Sequence, residues 1–253
     1  MKLFKQTVSP WKLIAGISGL LTVPVCAHAD DSMTIYGIIN PGISIFNNIS
    51  GGRTTIMSDG VIQASRIGFK GSEDLGGGNA AIFQLETGFN SKNGALGQGG
   101  LLFGRQALVG ITGKDWGSLT VGRQYSFTYD NFVTLINGVT TYNLYAFKMG
   151  DADGTAAQRL NNAVKYVSPK LNGFQLGTMH SFGEQAGSLS TQSSDSLGLT
   201  YGGEGFKLVS AYTVARDTRP AMSIGTTVFG QSVTQTTFDR IDTAALGAQV
   251  QAG

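Results

Sequence analysis

From Met33 onward the chain alternates apolar and polar side chains with a period of two. Met33, Ile35, Gly37, Ile39, Pro41, Ile43 and Ile45 fall on one face, and Thr34, Tyr36, Asn40, Gly42 and Ser44 on the other. Ile67 and Phe69 lie with Ser65, opposite Arg66 and Lys70; Ala81, Phe83, Leu85 and Phe89 lie opposite Gln84, Glu86 and Asn90. Successive residues of a strand point to opposite faces, so this rhythm dictates strands with one apolar and one polar side. It predicts ten of them, over 33–46, 60–72, 79–90, 101–113, 117–126, 158–168, 173–183, 195–202, 205–214 and 239–251.

The connections alternate in length. Glu73–Asn79, Gly113–Gly117, Ser168–Gly173 and Gly202–Gly205 read as short turns, whereas Asn47–Asp59, Ser91–Gly100, Asn131–Gln158, Gly183–Ser194 and Ala215–Thr237 read as long polar loops. Short turns at one rim and long loops at the other are the asymmetry of bacterial outer-membrane barrels. Charged residues make up only 13% of the chain, against about 25% in a typical soluble domain. That scarcity fits strands whose outer side meets lipid. Beyond residue 30 no run approaches 18 consecutive apolar residues. A membrane crossing therefore has to be made by a closed barrel, in which every backbone polar group finds a partner. The fold expected is all-β, an antiparallel transmembrane β-barrel.

The first residues carry a different signal. Lys2, Lys5 and Lys12 precede a mostly apolar stretch from Leu13 to Val25, and Ala27-His28-Ala29 has the small-x-small form of a cleavage site. The apolar stretch is too short for a membrane anchor, which needs about 20 residues. Residues 1–29 are thus expected to be removed on export, leaving residues 30–253 as the barrel domain. The only cysteine, Cys26, leaves with the signal, so no disulfide is expected. Without the three signal lysines the formal charge passes from +2 to −1, and a nucleic-acid partner is not suggested. The aromatics Phe46, Phe89, Tyr125, Tyr129, Tyr166, Phe174, Phe182, Tyr201 and Tyr212 fall near strand ends. Two readings fit them: an interfacial girdle, or ordinary strand preference.

Several segments together resemble the Gram-negative general-diffusion porins, most closely their β-proteobacterial branch. They are Thr34-Ile35-Tyr36-Gly37, the run from Ser65-Arg66-Ile67-Gly68-Phe69-Lys70 to Gly76, and Phe83-Gln84-Leu85-Glu86-Thr87-Gly88-Phe89. Leu102-Phe103-Gly104-Arg105-Gln106, Val121-Gly122-Arg123-Gln124-Tyr125 and Val164-Lys165-Tyr166-Val167-Ser168-Pro169 follow in family order. The resemblance implies an outer-membrane channel for passive diffusion of ions and small hydrophilic solutes. It also implies a sixteen-stranded barrel, a homotrimer, and a third loop folded into the lumen. Such porins are longer and end in an aromatic residue, whereas this sequence stops at Ala252-Gly253. The reading is of a chain truncated at its C-terminal side.

Porin selectivity is electrostatic filtering at a narrow waist, not bond-making. Arg66 and Lys70, four apart, share a strand face, as do Arg159 and Lys165, six apart. The resemblance adds Arg105 as a constriction arginine, and sets the carboxylates Asp151 and Asp153 of the third loop across the waist from the arginines. The constriction is thus expected at Arg66, Arg105, Arg159, Asp151 and Asp153. Lys70, Lys165, Arg123, Glu86 and Lys148 are further candidates for the lumen. The competing view of these cations is as charges that snorkel to lipid headgroups.

Other classes fit less well. A hydrolase barrel needs a base beside its nucleophile. After the signal only His180 remains, and Ser181 beside it points to the opposite face. No metal cluster and no cofactor is expected. A receptor or adhesin barrel would not need inward arginines, and a soluble ligand-holding barrel would not need an apolar exterior.

Overall fold

The computed structural model describes residues 32–49, 51–60, 63–136, 159–218 and 238–250. The signal segment and the loop residues Lys148, Asp151 and Asp153 lie outside these. Ten strands form one antiparallel sheet: β1 (Ser32–Ile38), β4 (Arg66–Gly76), β5 (Asn79–Gly88), β6 (Gln106–Gly113), β7 (Gly117–Tyr125), β8 (Arg159–Val167), β9 (Phe174–Ser181), β10 (Ser194–Gly203), β11 (Phe206–Thr218) and β12 (Phe238–Val250). Each strand pairs with the next in that order. No helix among the described residues is long and apolar enough to cross a membrane.

The sequence places the first two strands too simply. The run 33–46 is divided at Ile39–Asn40 into β1 and β2 (Pro41–Ile49), and the stretch expected as a long loop contains β3 (Gly52–Asp59). β2 and β3 form a separate hairpin. β4 begins at Arg66 and not at 60, β6 at Gln106 and not at 101, and β11 runs four residues past its expected end, to Thr218. The short turns stand as expected. At the β4–β5 turn Gly76, Gly77 and Gly78 all have φ between +63° and +81°, a conformation that costs glycine little and other residues much.

The two faces of the sheet differ as the alternation requires. Met33, Ile35, Ile67, Val109, Ile111, Val121, Leu176, Leu197, Leu199 and Leu246 are exposed on one face, Met33 at 69% and Leu246 at 82%. In water such a surface would be a large penalty; against lipid it is the expected outer band. The opposite, inner face carries α1 (Phe127–Ile136), which leaves β7 and packs on β9 to β12. The aromatic ring of Phe127 makes this seat. Its neighbours include Leu160, Ala163, Met179, Ala211 and Ala215. Opposed across β9 and β10 are Gly177 and Gly198. A Cβ on Gly177 would lie 2.1 Å from Phe127 Cζ, and one on Gly198 would lie 2.6 Å from its Cδ1. The register continues this row of small residues through Ala211 and Ala245. Burying Phe127 there is worth roughly 1.5–3 kcal/mol. Hydrogen bonds fix the helix's orientation: Phe127 N to Ser196 Oγ (3.0 Å), Thr128 Oγ1 with Thr213 Oγ1 (2.6 Å) and Asn131 Nδ2 to Ser210 O (2.9 Å).

Candidate functional site

Beside the seat of α1, on the inner face, a polar cluster joins β1, β4, β5, β7 and β8. Register accounts for its first part. Tyr36 of β1 lies opposite Gly68 of β4, which lies opposite Glu86 of β5. Gly68 has no side chain, so the Tyr36 ring crosses over it. The Tyr36 hydroxyl donates to Glu86 Oε2 (2.8 Å) and accepts from Gln84 Nε2 (2.6 Å). Lys70, one pair further along, stands 5.7 Å from the centre of the Tyr36 ring.

Glu86 then meets Arg105, which lies at the head of β6. Its Nε donates to Glu86 Oε1, and both side chains are buried. Taking such a pair out of water is costly, and the remaining lone pairs and protons have to be satisfied. Tyr36 does this for the carboxylate. For the guanidinium it is Tyr125 of β7, whose phenol oxygen accepts from Arg105 Nη2 at 2.9 Å. The same oxygen accepts from Arg159 Nη2 at 3.2 Å, and the Arg159 guanidinium lies 4.9 Å from the Tyr125 ring centre. On α1, Tyr129 stacks on Tyr125 with centroids 4.0 Å apart and planes at 15°. Burial and the neighbouring Tyr125 push the Tyr129 phenol up to about 12.

Each expected residue that lies among the described ones has a definite place; Lys148, Asp151 and Asp153 do not lie among them. Arg105, Glu86 and Arg159 converge on Tyr125. Arg66 stands near enough to Arg105 for their charges to repel, with its Nη2 on Gln63 Oε1 (3.0 Å) and its Nε on Ala64 O (3.1 Å). Lys165 is on the inner face but is not a free lumen charge. It is buried under α1, with Nζ on Tyr125 O (2.9 Å) and on Asp130 Oδ2 (2.5 Å), over the ring of Phe127 (4.5 Å). Arg123 is held to its own wall, Nε on Gly104 O (2.8 Å) and Nη1 on Asn161 Oδ1 (2.5 Å).

Two sequence arguments need correction. Arg159 and Lys165 do not owe their meeting to a common strand face. The β7–β8 register shifts between them, and Asn162 has φ +50°, a bulge that breaks the alternation. They meet because both reach Tyr125. The second is the aromatic girdle. Phe174, Tyr201 and Phe206 do cluster near the short turns, with ring centroids at 4.5 and 5.4 Å. Tyr125 and Tyr129, however, are packed against each other beside Arg105. Neither their role nor that of Tyr36 is legible from spacing. The signal for Tyr36 was only its place on the polar face of β1.

The comparisons with known proteins agree on one family. A sequence profile of Gram-negative porins matches residues 16–253. An outer membrane porin protein of Bordetella pertussis (strain Tohama I) is 37% identical over 193 residues, 70% of this chain and 48% of that protein. Outer membrane porin protein 32 of Delftia acidovorans is 29% identical over 198 residues, 73% of this chain and 52% of that one. Among solved structures, the anion-selective porin from Comamonas acidovorans aligns with a TM-score of 0.65 at 21% identity, over 87% of this chain and 63% of that one. The chain spans about half the length of the curated relatives it matches.

Proposed function

Because the chain belongs to the Gram-negative porin family, we propose that it contributes to a water-filled channel for passive diffusion of ions and small hydrophilic solutes across the outer membrane. The observation that carries this reading is the group of guanidinium side chains, Arg66, Arg105 and Arg159, gathered beside an inward helix on the polar face of a sheet whose other face is apolar. Fixed charge at a narrow, low-dielectric waist raises the local concentration of the opposite ion. Glu86 offsets one cation, and the excess that remains favours anions. Asp151 and Asp153 of the third loop are proposed to face the arginines across the waist, and Lys148 of the same loop to line the lumen. Residues 1–29 are proposed to direct export and to be removed after Ala29, and the working form to be a homotrimer. No catalytic step is assigned.

The test is reversal potential in planar bilayers under a salt gradient, with protein purified from outer membranes. The expected sign is anion-preferring. Arg66→Glu combined with Arg105→Gln should move it toward cations. Bilayers that stay sealed would sink the channel reading, and an unmoved potential would sink the assignment of these arginines. Sequencing the exported protein's N-terminus should begin at Asp30.

A further inference from the structure

We infer that Tyr125 is a positioning residue of the waist, whose phenol oxygen holds the guanidinium groups of Arg105 and Arg159 together. The inference rests on the channel reading above. Two guanidinium cations that share one acceptor atom repel each other, more strongly in a low-dielectric wall than in water. Something must therefore oppose that repulsion. Arg105 has its own anchor in Glu86, so the shared part of the arrangement falls to Tyr125. Its oxygen has two lone pairs and receives one Nη2 from each arginine, at 2.9 and 3.2 Å. Hydrogen bonds from a charged donor are roughly twice as strong as neutral ones. The ring adds a face for the Arg159 cation.

The same ring stacks on Tyr129 of α1, and the main-chain oxygen of Tyr125 accepts from Lys165. One residue of the wall thus touches both arginines, the inward helix and the lysine that holds that helix. Tyr125 sits at the end of β7, directly before the chain turns inward. It fixes the distance between the cation pair and α1, and with it the field a passing anion meets. Tyr125 acts through the two arginines.

Tyr125→Phe separates these roles, because it keeps the ring and its stack on Tyr129 and deletes the hydroxyl with its hydrogen bonds. In protein purified from outer membranes, the anion-to-cation permeability ratio should fall in Tyr125→Phe. Heat-modifiability of the folded band should stay as in the unsubstituted protein. A merely structural role predicts the reverse, a weakened fold with an unmoved ratio, and that result overturns the inference. So does a ratio that falls in Arg105→Gln and not in Tyr125→Phe, which leaves the channel reading intact. A protein that forms no channel in any version removes both. A second measurement needs no conduction. Side-chain nitrogen resonances of the arginines in detergent micelles should include two guanidinium groups with slowed rotation, and both should lose that slowing in Tyr125→Phe. Retention of both would also overturn the assignment.

Discussion

Lys165 of β8 reaches Asp130 of α1, Nζ to Oδ2 at 2.5 Å, and so ties the inward helix to the wall of the sheet. The lysine side chain is 9% exposed and the aspartate 40%. Removing the carboxylate leaves a buried cation held by the Tyr125 carbonyl and the Phe127 ring, without its counter-charge. Asp130→Asn is therefore expected to weaken the seat of α1 by about 1–3 kcal/mol, toward the lower end because Asp130 is half open to water. The measurement is current noise and protease access to the third loop. Both should rise in Asp130→Asn, and rise again in Lys165→Met. Equal noise in all three proteins would mean that the pair does not hold the helix.

Gly198 makes a sharper case. Its missing Cβ is the space that Phe127 fills, with Gly177 directly opposite. Gly198→Val puts a branched side chain into that ring. Overpacking of this kind costs about 1–3 kcal/mol where neighbours can shift, and here the neighbour is a whole helix. The helix is expected to leave its seat, raising single-channel conductance while the sheet persists. Gly202→Val is the control, since a Cβ there would meet nothing within 4 Å. If both variants conduct alike, the Phe127 seat is not what holds α1.

This seat also marks where sequence reading stops. The strands were legible because burial on one face imposes a period of two, and all ten strands of the sheet stand where that period put them, within a few residues at most ends. The turns were legible from their glycines. Gly177, Gly198, Ala211 and Ala245 are different. Each is unremarkable in its own strand, and the row becomes visible only once the register of β9 to β12 sets them side by side. Arg159 and Glu86 are legible as charges in alternating runs, and Arg105 only through the family resemblance. Tyr125, on which Arg105 and Arg159 converge, was not, because a tyrosine near a strand end also suits a membrane interface. The hairpin of β2 and β3 was missed because its polar, threonine-rich arm Gly52–Asp59 resembles a loop in composition.

Asp59 gives a prediction in pH. It closes that hairpin onto the sheet, accepting from Ser65 Oγ (2.7 Å), from Ser91 N (3.1 Å) and from Ser91 Oγ. Burial raises its carboxyl, but the Ser65 and Ser91 donors outweigh this and hold it below the usual carboxylate value. The sign follows from that depression. The stabilisation is fully present above the unfolded carboxylate value of about 3.9 and is lost as pH falls through the lower folded value. Amide exchange in the hairpin 41–59 should therefore quicken in acid before the ten-stranded sheet yields. Asp59→Asn should show the quicker exchange already at neutral pH. A hairpin whose exchange is indifferent to both changes would mean that Asp59 is not its latch.

The last prediction concerns the edges of the sheet. Among the described residues β1 pairs only with β4 and β12 only with β11. Among these residues each therefore presents an edge whose backbone donors and acceptors have no strand partner. In a bilayer core an unsatisfied backbone group costs several kcal/mol, so both edges need partners. One solution is for β1 and β12 to meet in a ten-stranded barrel, and even-numbered barrels from eight strands upward do exist. Yet α1 already occupies the inner face of β9 to β12, and the side chains around Tyr125 occupy that of β4 to β8. Closing so narrow a ring around both would leave little lumen. The alternative is that strands other than the ten described here, or those of another copy, pair with the two edges. A polypeptide limited to residues 30–253, refolded in detergent, is accordingly expected to give no discrete conductance steps. It should also associate through its edges, running as multiple species before heating. A single heat-modifiable band with steady channels would instead mean that β1 and β12 close on each other and that α1 yields the space.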